Sequence, residues 1–185
     1  MSLPNGMPMI RVFIALSLPD DVRSRLAGLA GGVQKARWVE QHNLHLTLRF
    51  IGETYEDRLP DLDAELRGIK AAPFELSLSG TGQFGNRRGV HTLWVGAEPS
   101  SALTDLQTKV EAAVVRAGFP AEGRKFSPHV TLARLTGSPL ERVIRYLVDN
   151  SLFRSGPFPI ESITLYESRQ SHHGPDYTII SCYPL

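Results

Sequence analysis

The sequence predicts an α+β fold of two similar, pseudo-symmetric lobes with a cleft between them. A motif that occurs twice and a strand-helix-strand pattern that repeats around it carry this reading. Leu44-His45-Leu46-Thr47-Leu48-Arg49-Phe50 and Ser127-Pro128-His129-Val130-Thr131-Leu132-Ala133-Arg134 each contain His, apolar, Thr, Leu. Side chains alternate between the faces of a strand, so His and Thr share one face and the apolar residues take the other. Pro99 lies 80 residues after Pro19, each with a strand before it and a helix after it, and His129 lies 84 after His45. Such a repeat, over about 10–52 and 90–135, implies like strands related by an approximate two-fold axis, with the motifs face to face.

The elements follow in order. Residues 10–18 are apolar and β-branched throughout and read as a strand buried on both faces. Pro19-Asp20-Asp21 opens a helix with acid at its positive end; Val22, Leu26 and Leu29 follow at helical spacing, and Gly31-Gly32 stops it. A short strand is expected at 36–39, then the strand of His45 and Thr47, closing at Gly52. A helix over 57–69 buries Leu62, Leu66 and Ile69, and 74–79 alternates as a half-buried strand. Residues 80–89, with four glycines and Arg87-Arg88, read as a loop. The unit then recurs: a strand at 91–97, a helix over 103–117 ended by Gly118, and the second motif strand. A helix at 140–148 and strands at 162–166 and 177–183, joined by a polar loop as a hairpin, complete the chain.

Size and charge limit what the motif pair can mean. The chain has 185 residues, 42% of them hydrophobic, enough for one domain over 10–185 behind a frayed tail at 1–9. A net charge of +1 gives no bulk attraction to polyanions, so any nucleic-acid contact should be local, with a short or terminal substrate. No stretch approaches the ~20 apolar residues of a membrane span, and no secretory pattern opens the chain. The single Cys182 cannot form an internal disulfide and reads as a small buried hydrophobe. A cytoplasmic protein is expected.

Two His-x-Thr strands suit phosphodiester hydrolysis. One group must take a proton from the attacking water while another protonates the departing oxygen, and histidine can do either near neutrality. Threonine hydroxyls can donate to the phosphoryl oxygens without burying a charge. No metal or other cofactor is required by this chemistry.

The residues also carry a resemblance. His45-Leu46-Thr47-Leu48 and His129-Val130-Thr131-Leu132, with Arg134 following, resemble the paired HxTx motifs of the 2H phosphoesterase superfamily, specifically its RNA 2′,3′-cyclic phosphodiesterases, also called 2′-5′ RNA ligases. The similarity runs from the strand at Arg11 to Gly174 and Tyr177. It implies lobes of mainly antiparallel sheet with helices outside, and opening of a 2′,3′-cyclic phosphate at an RNA end, tRNA fragments included, to a 2′-phosphate. By matching positions, His45 would be the proton donor to the leaving 3′ oxygen and His129 the proton acceptor from water. Thr47, Thr131 and Arg134 would bind the phosphate. The reverse reaction would make a 2′-5′ linkage. No obligate protein partner is implied, and a monomer is expected.

Other readings compete. The same histidines would serve a small cyclic nucleotide or a 2′-5′-linked oligonucleotide, and a non-catalytic RNA-end-binding module would keep the same cleft. Strict alternation puts Arg134 on the face opposite His129 unless the strand bulges, whereas Arg49 has the parity of His45 and could face the cleft or form an ion pair beside it. Phe84 and Tyr177 could stack on a base or pack in the core. Arg87 and Arg88 could clamp RNA backbone or be a solvated pair. His42 lacks neighbouring ligands for zinc, His172-His173 reads as exposed loop, and Trp38 and Trp94 read as core.

Overall fold

The structure, a computed structural model, describes residues 8–171 and 174–185. Most of the expected tail and the pair His172-His173 lie outside the described residues. In chain order the elements are β1 (Met9–Ser17), α1 (Asp20–Ala27), β2 (Ala36–Trp38), β3 (His45–Tyr55), α2 (Leu59–Arg67), β4 (Phe74–Asn86), β5 (Gly89–Ala97), α3 (Ser101–Arg116), β6 (His129–Leu135), α4 (Leu140–Asp149), β7 (Arg154–Ile160), β8 (Ser162–Ser171) and β9 (Gly174–Pro184).

Every strand pair is antiparallel, and the sheet order is β7-β4-β5-β6-β3-β1-β8-β9, with β2 beside β6. The two halves of this order are the lobes, β3-β1-β8-β9 and β6-β5-β4-β7. They meet at one rung, Leu46 opposite Val130. Below it both apolar side chains are fully buried in a hydrophobic cluster that spans both lobes. Beyond the rung β3 and β6 diverge, and β2 takes the vacated edge of β6. That divergence makes the cleft.

The helices cross over between lobes. Helix α3 joins β5 to β6 of the second lobe but packs on β3 of the first, with α2 against it and against β9. Helix α1 follows β1 of the first lobe but lies against β7 of the second, where α4 packs on β5. Side chains lock both seats. Tyr183 on β9 donates to Asp63 on α2 at 2.9 Å, and Tyr146 on α4 donates to the Leu29 carbonyl just past α1 at 3.0 Å.

Four expectations need correction. Residues 80–89 are not a loop: β4 and β5 form one long hairpin whose two-residue turn is Arg87-Arg88, with Asn86 Oδ1 accepting from Arg88 N–H at 2.8 Å. Gly82 pairs with Trp94, whose indole crosses it so closely that a Cβ would sit 2.2 Å from the ring. The glycine admits an aromatic ring, and the strand continues through it. The strand β7 was unexpected because it carries Pro157 and Pro159; it is an edge strand, where missing N–H groups cost no ladder bond. Cys182, finally, is exposed on the edge strand β9. The polar stretch expected between the last two strands is also shorter than read, since β8 runs to Ser171 and β9 begins at Gly174.

Candidate active site

The site is built on the two motif strands, and both carry the same irregularity. Against β1, Ile14 pairs with Arg49 and Ala15 with Thr47, so Leu48 is an extra residue in β3. Against β5, Leu93 pairs with Ala133 and Trp94 with Thr131, so Leu132 is extra in β6. The fourth residue of each motif is thus a β-bulge, and it shifts the side chains that follow by one face. Burial tracks the shift: His45, Thr47 and Phe50 open to the cleft while Leu46, Leu48 and Arg49 are buried, and His129, Thr131 and Arg134 are open while Val130, Leu132 and Ala133 are buried.

Arg134 therefore does reach the cleft, beside Thr131, and its Nη1 donates to Thr92 Oγ1 at 2.9 Å. Arg49 does not. Its side chain is 8% exposed and turns to the helix side, where Nε donates to Glu111 on α3 at 2.5 Å and the remaining nitrogens donate to the carbonyls of Phe50 and Pro120. By position in the bulge, Phe50 in the first lobe stands where Arg134 stands in the second.

The two imidazoles are held alike. His45 Nδ1 lies 2.6 Å from the Asn43 carbonyl and His129 Nδ1 2.6 Å from the Ser127 carbonyl, in each case two residues upstream. A carbonyl only accepts, so Nδ1 carries the proton and Nε2 is left as the acceptor. Thr47 Oγ1 lies 3.1 Å from His45 Nε2. An aromatic ring meets each imidazole edge-on, Tyr177 at 5.2 Å from His45 and Phe84 at 4.9 Å from His129. Phe13 covers His45 at 4.8 Å, and Trp94 stands 6.0 Å from His129.

Burial lowers His45 from 6.5 to about 4, with the Asn43 carbonyl opposing and His129 and Arg134 adding to the fall. His129 is lowered as well, mainly by burial, against its own carbonyl bond and with Arg134 contributing. Both shifts favour the uncharged ring at neutral pH. The cleft opens into a cavity of about 390 Å³ lined by His45, Thr47, Thr131, Arg134 and Tyr177, with His129 beside Thr131 on the same face of β6.

Several of its walls were not read from the sequence. Arg11, Arg37, Phe50 and Asn43 also line the cavity. Arg11 lies over the Phe50 ring at 5.5 Å. Asn43 is 6% exposed and donates from Nδ2 to the Pro175 carbonyl at 2.8 Å, which ties the residue that holds His45 to the strand that carries Tyr177. The repeat could have pointed to Phe50 by its position five residues after His45, the offset of Arg134 from His129. Trp38 is not wholly core: it lines the cavity and packs on Tyr146 at 5.5 Å. Arg87 and Arg88 are exposed at the hairpin tip and do not line the cavity, and His42 is exposed. Among the described residues, no three His, Cys, Asp or Glu side chains gather as a metal site would require.

Sequence and fold both match known proteins. The sequence model of the 2′-5′ RNA ligase superfamily matches residues 18–172. The chain belongs to that superfamily. It is 33% identical to the RNA 2′,3′-cyclic phosphodiesterase of Thermus thermophilus over 95% of this chain and 90% of the relative, and 29% identical to that of Methanothermobacter thermautotrophicus over 95% and 99%. Among solved structures, that of E. coli LigT complexed with 3′-AMP superposes with a TM-score of 0.77 at 25% identity, covering 96% of this chain and 99% of LigT. The LigT-like fold, a curled antiparallel sheet with four helices, is the fold of this superfamily member.

Proposed function

We propose that this protein opens 2′,3′-cyclic phosphate ends of RNA to 2′-phosphates by two-histidine acid-base catalysis. The observation that carries the proposal is the matched pair of imidazoles, each fixed through Nδ1 to a carbonyl two residues upstream, with two threonines and Arg134 on the same cleft faces. Relatives that align over nearly the whole chain are named RNA 2′,3′-cyclic phosphodiesterases, which supports the substrate class.

In this mechanism His129 Nε2 takes a proton from water as its oxygen bonds to phosphorus. The P–O3′ bond breaks, and O3′ takes the proton from His45 Nε2. Atoms balance as one water added and one 2′-phosphate ester formed. Because Nδ1 is already protonated, His45 is an acid only as imidazolium, and a group lowered to about 4 gains that proton when the anionic phosphate arrives beside it. Arg134, Thr47 and Thr131 then meet the phosphoryl oxygens, where charge builds up in the transition state. The asymmetry of the cleft supports this direction: Phe13 and Tyr177 pack on His45, with Phe50 in the cavity wall, and this apolar side suits the nucleoside that carries the leaving oxygen. Running backwards, a 5′-hydroxyl in place of water would form a 2′-5′ linkage.

The unpaired cysteine fits a reducing cytoplasm, and among the described residues no helix is long and apolar enough to cross a membrane. The test is hydrolysis of an RNA oligonucleotide with a 2′,3′-cyclic end in EDTA by wild type, His45→Ala and His129→Ala. A 2′-phosphate product, reduced at least ~100-fold in each variant, is expected. Turnover of small cyclic nucleotides alone would shift the substrate class, and a 3′-phosphate product would reverse the roles of the two oxygens.

A further inference from the structure

We infer that Arg37 holds a second anion, the phosphodiester on the 5′ side of the terminal nucleotide, so that the site takes an oligonucleotide end in preference to a lone cyclic nucleotide. This rests on the reading of the cleft as an RNA-end phosphodiesterase.

Strand β2 is three residues long and pairs only with the edge of β6 that β3 leaves free. Its register sets Arg37 directly opposite Arg134. Opposed residues of an antiparallel pair share a face with their Cβ atoms about 5 Å apart, and like charges so placed destabilise the pair. Both arginines are exposed, both line the cavity, and among the described residues neither is in an ion pair. With Arg11 they set three guanidinium groups against one carboxylate, Glu40, in the lining of this cavity. Such repulsion is relieved when anions enter.

One cyclic phosphate brings one negative charge, and Arg134 with the His45 imidazolium already answers it. The positions of the two arginines also differ. Arg134 stands on the motif strand β6, three residues after Thr131. Arg37 stands one strand over, on β2, directly beside Arg134. A cyclic phosphate ends the RNA chain at its 3′ side, so the next phosphate lies 5′ to it. A guanidinium can take a phosphodiester with two parallel N–H bonds, and that is the group this position fits.

The test compares a cytidine 2′,3′-cyclic phosphate with a dinucleotide of the same end, and with that dinucleotide carrying an uncharged methylphosphonate linkage. Affinity for the 2′-phosphate-ended dinucleotide is measured alongside. In the wild type kcat/KM for the charged dinucleotide exceeds the other two about tenfold, mostly through KM, and Arg37→Gln removes that advantage. Equal kcat/KM for charged and neutral linkages, or a loss in Arg37→Gln that is the same for mononucleotide and dinucleotide, overturns the inference. If no substrate is opened, the proposed reaction fails, and product affinity decides the second site: weaker binding with the neutral linkage and in Arg37→Gln upholds it, and unchanged binding sinks it.

Discussion

At the scale of single residues the site depends on one proton position. The Asn43 and Ser127 carbonyls fix the tautomer of His45 and His129, and burial shifts both rings toward the neutral form. For His45 this has a measurable cost in acid. The unfolded chain protonates this histidine near 6.5, but the folded protein does so only near 4, so between those values the unfolded state holds more protons. Its contribution to stability is complete above pH 6.5 and disappears as the pH falls toward 4, by about 3 kcal/mol, with His129 acting in the same direction. Urea unfolding at pH 7 and pH 4.5 should show this loss in the wild type and a smaller one in His45→Gln. Equal losses in the two would mean that the ring is not held neutral. Histidine and threonine were legible from their types and spacing alone. Asn43 was not, because its role runs through a backbone carbonyl and a bond to Pro175, 132 positions away.

At the scale of elements the two bulges decide which residues the cleft receives. Period-two reading places Arg49 inside and Arg134 outside, and the structure reverses both because Leu48 and Leu132 each add one residue to their strand. No residue type in either motif announces a bulge, which is why this part of the site was not readable, while the helices, set by 3.6-residue periodicity, were, apart from the end of α1, which stops at Gly28 rather than at Gly31-Gly32. The hairpin of β4 and β5 was hidden for a different reason. Its glycines look like loop, yet Gly82 is the seat of the Trp94 ring that backs Phe84 and His129. Gly82→Ala should force that indole out, lower stability by about 1–3 kcal/mol, and reduce turnover through His129. Thermal unfolding with a nuclear-magnetic-resonance titration of the His129 ring would check it, and an unmoved His129 resonance would separate the ring stack from that histidine.

At the scale of the whole molecule, the lobes are joined at a single rung of the sheet but by helices on both sides. The Arg49–Glu111 pair shows how firmly: a strand of one lobe is tied to the helix between two strands of the other. Arg49→Met would leave Glu111 with only the Glu122 N–H and take the guanidinium from two carbonyls, and should cost about 3 kcal/mol. Tryptophan fluorescence, which reports Trp94 in the second lobe and Trp38 beside the cleft, should still fall together with far-ultraviolet circular dichroism. Separate transitions would show lobes that unfold independently. The pairing of lobes could be inferred from the repeat, but the exchange of helices could not, since nothing in a helix's own periodicity says which sheet it will cover.

The exchanged helices also bear on what happens if the chain is cut. A break between α3 and β6, at the exposed stretch around Gly123, would yield a long piece holding β1 to α3 and a short one holding β6 to β9. The long piece would keep α1 without the β7 it rests on, and α2 without β9, while the short one would hold β8 and β9 without β1. Neither fragment inherits a finished interior. Each would display the surface that the other was shaped to cover, since both lobes draw strands from both pieces, so the cut makes not two small proteins but two complementary templates.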